Sequence, residues 1–332
     1  MAAKQLEFNF LTWEIDTTGR YLLDEICHIS AHHQNSSFDE YIMPHRNITY
    51  SSSRKIQLYT LSIGMYRSLR KLTNGMVIKT NTEIVSLNNF INWLDKCGTK
   101  PVVLMCYEPY EYSPFILLQA LKRYELIEKF KSVVYGFANV YAYIKKKCKK
   151  SVSSMSLRTL AKILLNKNNI KCLDSQCRAE LVNEILAHLS EDSENPDQNI
   201  SQEMLQYVCT VDEVDERLCT KLVKRDVQSS LKPIFLPYLK EFKHRRRALV
   251  LRNLLTYESS PAVDYMVLKT MWSKGPEEFK KAMLECISGP ATDINDLIGI
   301  VSYHFQNIGS NSTQVTLPEI ELSKISAIQL DE

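Results

Sequence analysis

The stretch Trp13-Glu14-Ile15-Asp16-Thr17-Thr18-Gly19 places two carboxylates two residues apart. On a strand, Glu14 and Asp16 would project from the same face, because side chains alternate across the pleat. Such a pair offers the hard oxygen ligands that divalent cations take. Two cations held this way can clamp the attacking and leaving oxygens of a phosphodiester, so metal-dependent hydrolysis is the chemistry the pair could do. The strand pattern is present. Leu6, Phe8 and Phe10 alternate with polar residues, Leu11, Trp13 and Ile15 take up the alternation in the other phase, and Thr18-Gly19 supplies a turn.

The elements that must position this pair can be read outward from it. Residues 24–33 and 37–44 look like two further strands, the second ended by Pro44. Residues 82–96 carry Ile84, Leu87, Phe90, Ile91 and Leu94 at helical spacing, which predicts a helix with one buried face. The apolar run in 100–108 predicts a strand covered on both sides, followed by a helix from about Ser113. Residues 132–144 read as a strand leading into a helix, and 154–166 and 177–189 as helices. Three strands and then strand–helix alternation indicate an α/β sheet domain over 1–190. Residues 190–217 hold nine acidic residues and one basic one, so 191–228 reads as an acidic linker with a possible short helix at 204–209. Short helices broken by prolines and glycines predict a small all-α bundle over 229–306. Residues 307–332 lack periodicity and are expected to be a flexible tail.

The Thr-Thr-Gly context gives the acid pair a resemblance. The 3′–5′ exonucleases of the DEDD superfamily open with a strand reading roughly F-D-x-E-T-T-G, whereas this chain reads E-I-D-T-T-G, with the acids exchanged. Their second motif reads about H-N-x-x-F-D, and the matching stretch here is Cys106 to Glu111, where Glu111 stands in for the aspartate. Their third motif sets a histidine five residues before an aspartate, and Ser175 and Glu180 take those places here. That histidine acts as general base, a role that typically contributes about 10²–10⁴-fold. The resemblance therefore implies an inactive site at Glu14, Asp16, Glu111, Ser175 and Glu180, without a resident metal or other cofactor, and leaves weak residual metal binding by Glu14, Asp16 and Glu111 open. The segments EIDTTGRYLLDEI (14–26), YIMPHRNI (41–48), SIGMYRSLRKL (62–72), FINWLDK (90–96), SLRTLAKIL (156–164) and KPIFLPYLKEFKHRRRALVLR (232–252) narrow it to Exuperantia. That family consists of insect maternal messenger-RNA localisation factors. The resemblance implies a ribonuclease H-like, DEDD exonuclease-like mixed sheet with flanking helices, followed by a SAM-like helical domain. It further implies RNA binding without hydrolysis in cytoplasmic ribonucleoprotein particles of the oocyte, and homodimers formed through the exonuclease-like domain. Ile63, Met65, Tyr66 and Leu69 are candidates for that contact, with intramolecular packing as the alternative.

The net charge of the 332 residues is only +3, so its distribution carries more information than its sum. Residues 145–150 hold five lysines, among them Lys145, Lys146 and Lys147. Residues 232–252 hold seven basic residues against one glutamate. Lys and Arg neutralise phosphates with release of counterions, and Arg also stacks on unpaired bases. Lys240, Lys243, His244, Arg245, Arg246, Arg247 and Arg252 are accordingly the main candidate RNA contacts. Ala248, Leu249, Leu251 and Leu254 are expected to face the core. Tyr107, Tyr110 and Tyr112 lie where a substrate groove would run, and are expected to be packing residues more than stacking platforms. The nine cysteines are irregularly spaced, which argues against a zinc cluster and for reduced thiols in a cytosolic protein. No signal peptide is expected from the first ten residues, and no stretch approaches the roughly 20 apolar residues of a membrane span. Two other functions remain open on these residues: an active metal-dependent 3′–5′ exoribonuclease, and a scaffold that binds protein only.

Overall fold

The structure, a computed structural model, describes residues 7–34, 36–148, 152–168, 170, 174–190, 201–257 and 262–308. It divides into two compact units, Met1–Arg217 and Leu218–Glu332, with the division inside a helix, Val211–Ser230. The first unit is built on a six-stranded mixed sheet. Its strands are β1 (Asn9–Thr17), β2 (Ile26–His33), β3 (Ser36–Tyr41), β7 (Val102–Cys106), β8 (Val134–Asn139) and β9 (Val208–Thr210). They lie in the order β3-β2-β1-β7-β8-β9. β2 runs antiparallel to β1 and β3, β7 and β8 run parallel to β1, and β9 closes the far edge antiparallel to β8. A second, three-stranded antiparallel sheet inserts between β3 and β7. Its strands are β4 (Leu58–Ile63), β5 (Tyr66–Lys71) and β6 (Val77–Ile78), and α1 (Tyr50–Ile56) precedes it.

The alternation in β1 sorts its side chains onto two faces. Leu11, Trp13 and Ile15 point toward α2 (Glu83–Lys96), where Trp13 stacks on Phe90 at 6.4 Å. The other face holds a second core, in which Val103, Met105, Ile144, Leu160, Val182 and Ile185 pack together. The last four come from helices, Ile144 from α5 (Val140–Cys148), Leu160 from α6 (Leu157–Leu164), and Val182 and Ile185 from α7 (Ser175–Ser190). Thr12, Glu14 and Asp16 lie on this face, and α7 crosses above β1 and β2. Helices α3 (Tyr112–Arg123) and α4 (Ile127–Lys131) link β7 to β8. Asp174 caps α7, its carboxylate accepting from the Cys177 amide at 3.0 Å, and so fixes where the first turn begins.

Four sequence expectations change here. The segment expected to be linker supplies β9, which is admitted so close to β8 because residue 136 is glycine: a Cβ there would lie 2.2 Å from the Cys209 carbonyl oxygen. The same segment runs on into the helix Val211–Ser230, and residues 191–200 lie outside the described residues. Ile84 leaves the buried stripe of α2 and faces solvent. The β4–β6 sheet was not expected at all. Leu6 and the tail from residue 309 lie outside the described residues.

The second unit is helical, with helices Lys232–Lys240, Phe242–Tyr257, Tyr265–Trp272, Pro276–Cys286 and Ala291–Gln306. Its core gathers Ile234, Phe235, Ala248, Leu251, Phe279 and Leu297 among others. Leu254 joins this core but Leu249, expected there, is exposed. Among the described residues no helix is long and apolar enough to cross a membrane.

Candidate functional site

Glu14 and Asp16 are buried side by side on β1, opposite Ser30 and His28 of β2. The space between the two carboxylates is filled by a cation from the chain itself. Arg178, one turn into α7, donates from Nε to Glu14 at 3.0 Å, from Nη1 to Asp16 at 2.8 Å and from Nη2 to the Ile15 carbonyl at 2.7 Å. Its guanidinium is itself buried. Burial opposes the charge on Arg178, but Asp16 and Glu14 outweigh it and raise its pKa further. Burial likewise pushes the Asp16 carboxyl up, yet Arg178 and His28 together hold it down at about 2.

Both carboxylates have further partners. Glu14 accepts from the Tyr107 amide at 3.0 Å and Asp16 from the Ser175 amide at 2.8 Å. Behind Asp16 lies His28, with Nδ1 3.5 Å from it and Nε2 2.7 Å from Asp39. Burial disfavours the imidazolium, but the two aspartates beside it raise its pKa to about 9, so the ring is charged at neutral pH. Ser30 donates to Asp39 at 2.6 Å, which leaves the Ser175 hydroxyl to donate to Ser30 at 3.1 Å. Two carboxylates on one strand are thus balanced by one arginine and one histidine in a closed network.

The structure brings Glu14, Asp16 and Ser175 together and sends Glu111 and Glu180 elsewhere. Glu111 pairs with Arg217 at 2.7 Å. Glu180 lies away from the pair, 3.6 Å from His32 of β2. The carboxyl nearest the pair from the second motif is Glu108, whose Oε1 accepts from the Ser113 amide at 2.7 Å. Burial, reinforced by Glu14, raises its pKa to about 8, so it is neutral at pH 7. Among the described residues no group of three or more His, Cys, Asp and Glu side chains is set to hold a metal ion.

The Thr-Thr-Gly turn has an internal role. Thr18 bonds the Asp24 carboxylate at 3.3 Å and the Tyr21 amide donates to the same group at 2.6 Å. That carboxylate packs over Gly19, where a Cβ would come within 2.3 Å of it. Tyr112 donates to the Gly19 and Tyr21 carbonyls, both at 3.1 Å, and the Tyr107 hydroxyl donates to the Met155 carbonyl at 2.6 Å. Both rings are therefore fixed as packing, and only Tyr110 of the three is exposed. It lines a small open cleft with Glu108, Glu111 and Tyr207.

The basic candidates also separate. Lys240, Lys243, Arg245 and Arg246 are exposed. Arg247 is tied to Asp293 at 2.8 Å and Asp296 at 2.6 Å, and His244 approaches Glu241 at 3.4 Å. Arg252 is half-buried. Of the other cluster, Lys147 pairs with Glu203 at 2.8 Å, Lys146 reaches Gln206 at 3.3 Å and Lys145 sits 5.8 Å from the Tyr141 ring. Lys149 and Lys150 lie outside the described residues.

A mixed sheet with an antiparallel β2 beside a central strand bearing paired carboxylates, crossed by a helix that closes over them, defines an RNase H-like domain. Residues 8–164 match the family model described as the Exuperantia RNAse H-like domain. The chain is 27% identical over 316 residues to maternal protein exuperantia-1 of Drosophila pseudoobscura pseudoobscura, covering 80% of this chain and 62% of that protein. It is 27% identical over 336 residues to maternal protein exuperantia of Drosophila virilis, covering 88% and 68%. To maternal protein exuperantia of Drosophila melanogaster it is 36% identical over 173 residues, covering 50% and 32%. The chain thus spans about three fifths of the first of these relatives.

Proposed function

We propose that this chain is an RNA-binding pseudonuclease of the Exuperantia type, acting in maternal messenger-RNA localisation without hydrolysing RNA. The observation that carries the reading is Arg178. Its guanidinium lies 3.0 Å from Glu14 and 2.8 Å from Asp16, in the place where a divalent cation would have to sit. A divalent cation and a buried guanidinium compete for the same oxygens and the same volume, and the nearby carboxyl of Glu108 is protonated at neutral pH. Ser175 has no proton-accepting nitrogen to activate water, and its hydroxyl is engaged by Ser30. RNA contact rests on Lys240, Lys243, Arg245 and Arg246, which face solvent, with Lys145 as a secondary contact. The helical unit is proposed as a SAM-like domain. A homodimer is proposed through the first unit, supported by Ile63, Met65 and Tyr66, which are exposed at the β4–β5 tip, whereas Leu69 belongs to the interior.

The test is end-labelled single-stranded RNA incubated with the protein in Mg²⁺ and Mn²⁺, then divided between native and denaturing gels. A shifted band with intact RNA is expected. A ladder of shortened products that EDTA abolishes would overturn the reading. Light scattering over a concentration series checks the dimer, and a mass near the 38.4 kDa of one chain throughout would refute it.

A further inference from the structure

Phe242 is 95% exposed, the most exposed aromatic side chain among the described residues, and takes no part in the core of its unit. It opens the helix Phe242–Tyr257, directly after Glu241, whose extended backbone ends the preceding helix. Residues three and four apart on a helix are surface neighbours, about 5–6 Å between Cβ atoms. Arg245 and Arg246 hold those positions relative to Phe242, and both are exposed. The other cation of the run, Arg247, is held by Asp293 and Asp296 on the far side of this stripe, and His244 is held near Glu241.

We propose that Phe242, with Arg245 and Arg246, forms a stacking site for an unpaired nucleobase and the phosphates flanking it. An exposed phenyl ring one helical turn from two exposed arginines combines the two elements that bind single-stranded nucleic acid: an aromatic face for a base and cations for the backbone. A paired base presents no free face, so the site selects single-stranded segments and tolerates any base. The face carries two adjacent arginines, which favours a polyanion over a protein partner of mixed surface. This inference rests on the RNA-binding reading above and sharpens it to a residue and a substrate class.

The test measures dissociation constants of the full chain, by fluorescence anisotropy, for a mixed-sequence single-stranded RNA and a blunt RNA duplex. Wild type is compared with Phe242→Ala, Phe242→Trp and the double variant Arg245→Glu with Arg246→Glu. Stacking on one base corresponds to about 5- to 150-fold in affinity. Phe242→Ala should weaken single-stranded binding on the order of tenfold, leave duplex binding and the salt dependence unchanged, and be rescued by Phe242→Trp. The double charge reversal should weaken both RNAs and lower the salt dependence. Wild-type binding that Phe242→Ala leaves intact would overturn the stacking site alone. If the same variant instead changed the mass in light scattering, the face would be a protein interface, which also overturns it. A wild type that binds neither RNA would sink the RNA reading itself.

Discussion

Replacing Arg178 by alanine tests whether the chain has exchanged a metal for a guanidinium. Breaking a buried ion pair by removing one partner typically costs about 3–5 kcal/mol, because the remaining charge is left without compensation. Here one guanidinium satisfies Glu14, Asp16 and the Ile15 carbonyl, all at 3.0 Å or less. Asp16 gives a partial check. Held at about 2 instead of an ordinary value of about 3.9, it contributes about 2–3 kcal/mol at neutral pH, which is a share of the same interaction and not an addition to it. His28 stays behind at 3.5 Å and limits the loss. The first unit has 217 residues. At that size about 2–4 °C follows each kcal/mol, so the melting transition of this unit should fall by about 6–20 °C in scanning calorimetry. Two controls separate charge from packing. Acidification to about pH 4 should narrow the gap, since protonation relieves the stranded carboxylates. Mn²⁺ should raise the transition of the variant and not of wild type, by about 2.7 kcal/mol at a hundred times its dissociation constant, because the vacated space now suits a cation. A variant that melts within about 2 °C of wild type at neutral pH would refute the counter-ion role, a shift of under about 1 kcal/mol. A loss of equal size at both pH values with no response to Mn²⁺ would assign the effect to the arginine's aliphatic stem.

Three further outcomes are expected. His28 has a folded pKa of about 9 against 6.5, so its contribution is full below 6.5 and is lost as pH rises through 9. Urea titrations of His28→Asn should lack the decline, up to about 3 kcal/mol, that wild type shows across that window, and equal slopes would contradict the charged imidazole. Gly136→Ala should push β9 off the sheet and cost about 1–3 kcal/mol, seen as faster amide exchange at Val208–Thr210 with β1 and β2 still protected. Slow exchange at β9 in that variant would deny the close approach. Arg247→Ala should destabilise the helical unit by about 1–2 kcal/mol, whereas Arg246→Ala should stay within about 0.5 kcal/mol in the same thermal melts, and the reverse order would mean the Asp293 and Asp296 pairing is wrong.

The acid pair and its strand were legible because β1 sends its apolar side chains Leu11, Trp13 and Ile15 to one face and Thr12, Glu14 and Asp16 to the other, which leaves an alternating pattern. β7 was legible for the opposite reason, a continuous apolar run covered on both faces, and α2 by its apolar stripe. The β4–β6 sheet left no such trace because its strands LYTLSI and YRSLRK are half exposed on either face. Its signals were the turns: Gly64, at φ +57 in the two-residue loop between Ile63 and Tyr66, and Asn74-Gly75, at φ +68. Arg178 was missed for a different reason. The histidine–acid spacing of the third motif falls on Ser175 and Glu180 and assigns no role to the residues between them. Yet Arg178 falls in line with Val182, Ile185 and Leu186 on the buried stripe of that helix. A charged residue at such a position requires a buried partner of opposite sign, and the only buried acids announced by the sequence were on β1. Glu111 was misplaced because the chain turns outward after Glu108 and carries it to Arg217, a partner set by β9 and the helix that follows, neither of which was foreseen there.

The exchanged order of the two acids also acquires a physical reason. A divalent ion asks for short, converging oxygens, for which the length of each side chain is decisive. A guanidinium is a flat fork that offers donors along two edges, and it can span carboxylates of unequal reach. Glu14, longer by one methylene, meets Nε, while Asp16, nearer the Ser175 end of α7, meets Nη1 and keeps an oxygen for the Ser175 amide. The third donor of the fork takes the Ile15 carbonyl, a backbone group between the two acids that no metal needs. Each element of the network therefore fits an arginine better than an ion. Through these carboxylates α7 is fastened to the sheet. On this reasoning, acids retained on the first strand of such a fold say nothing about catalysis until the residue facing them from the last helix is known.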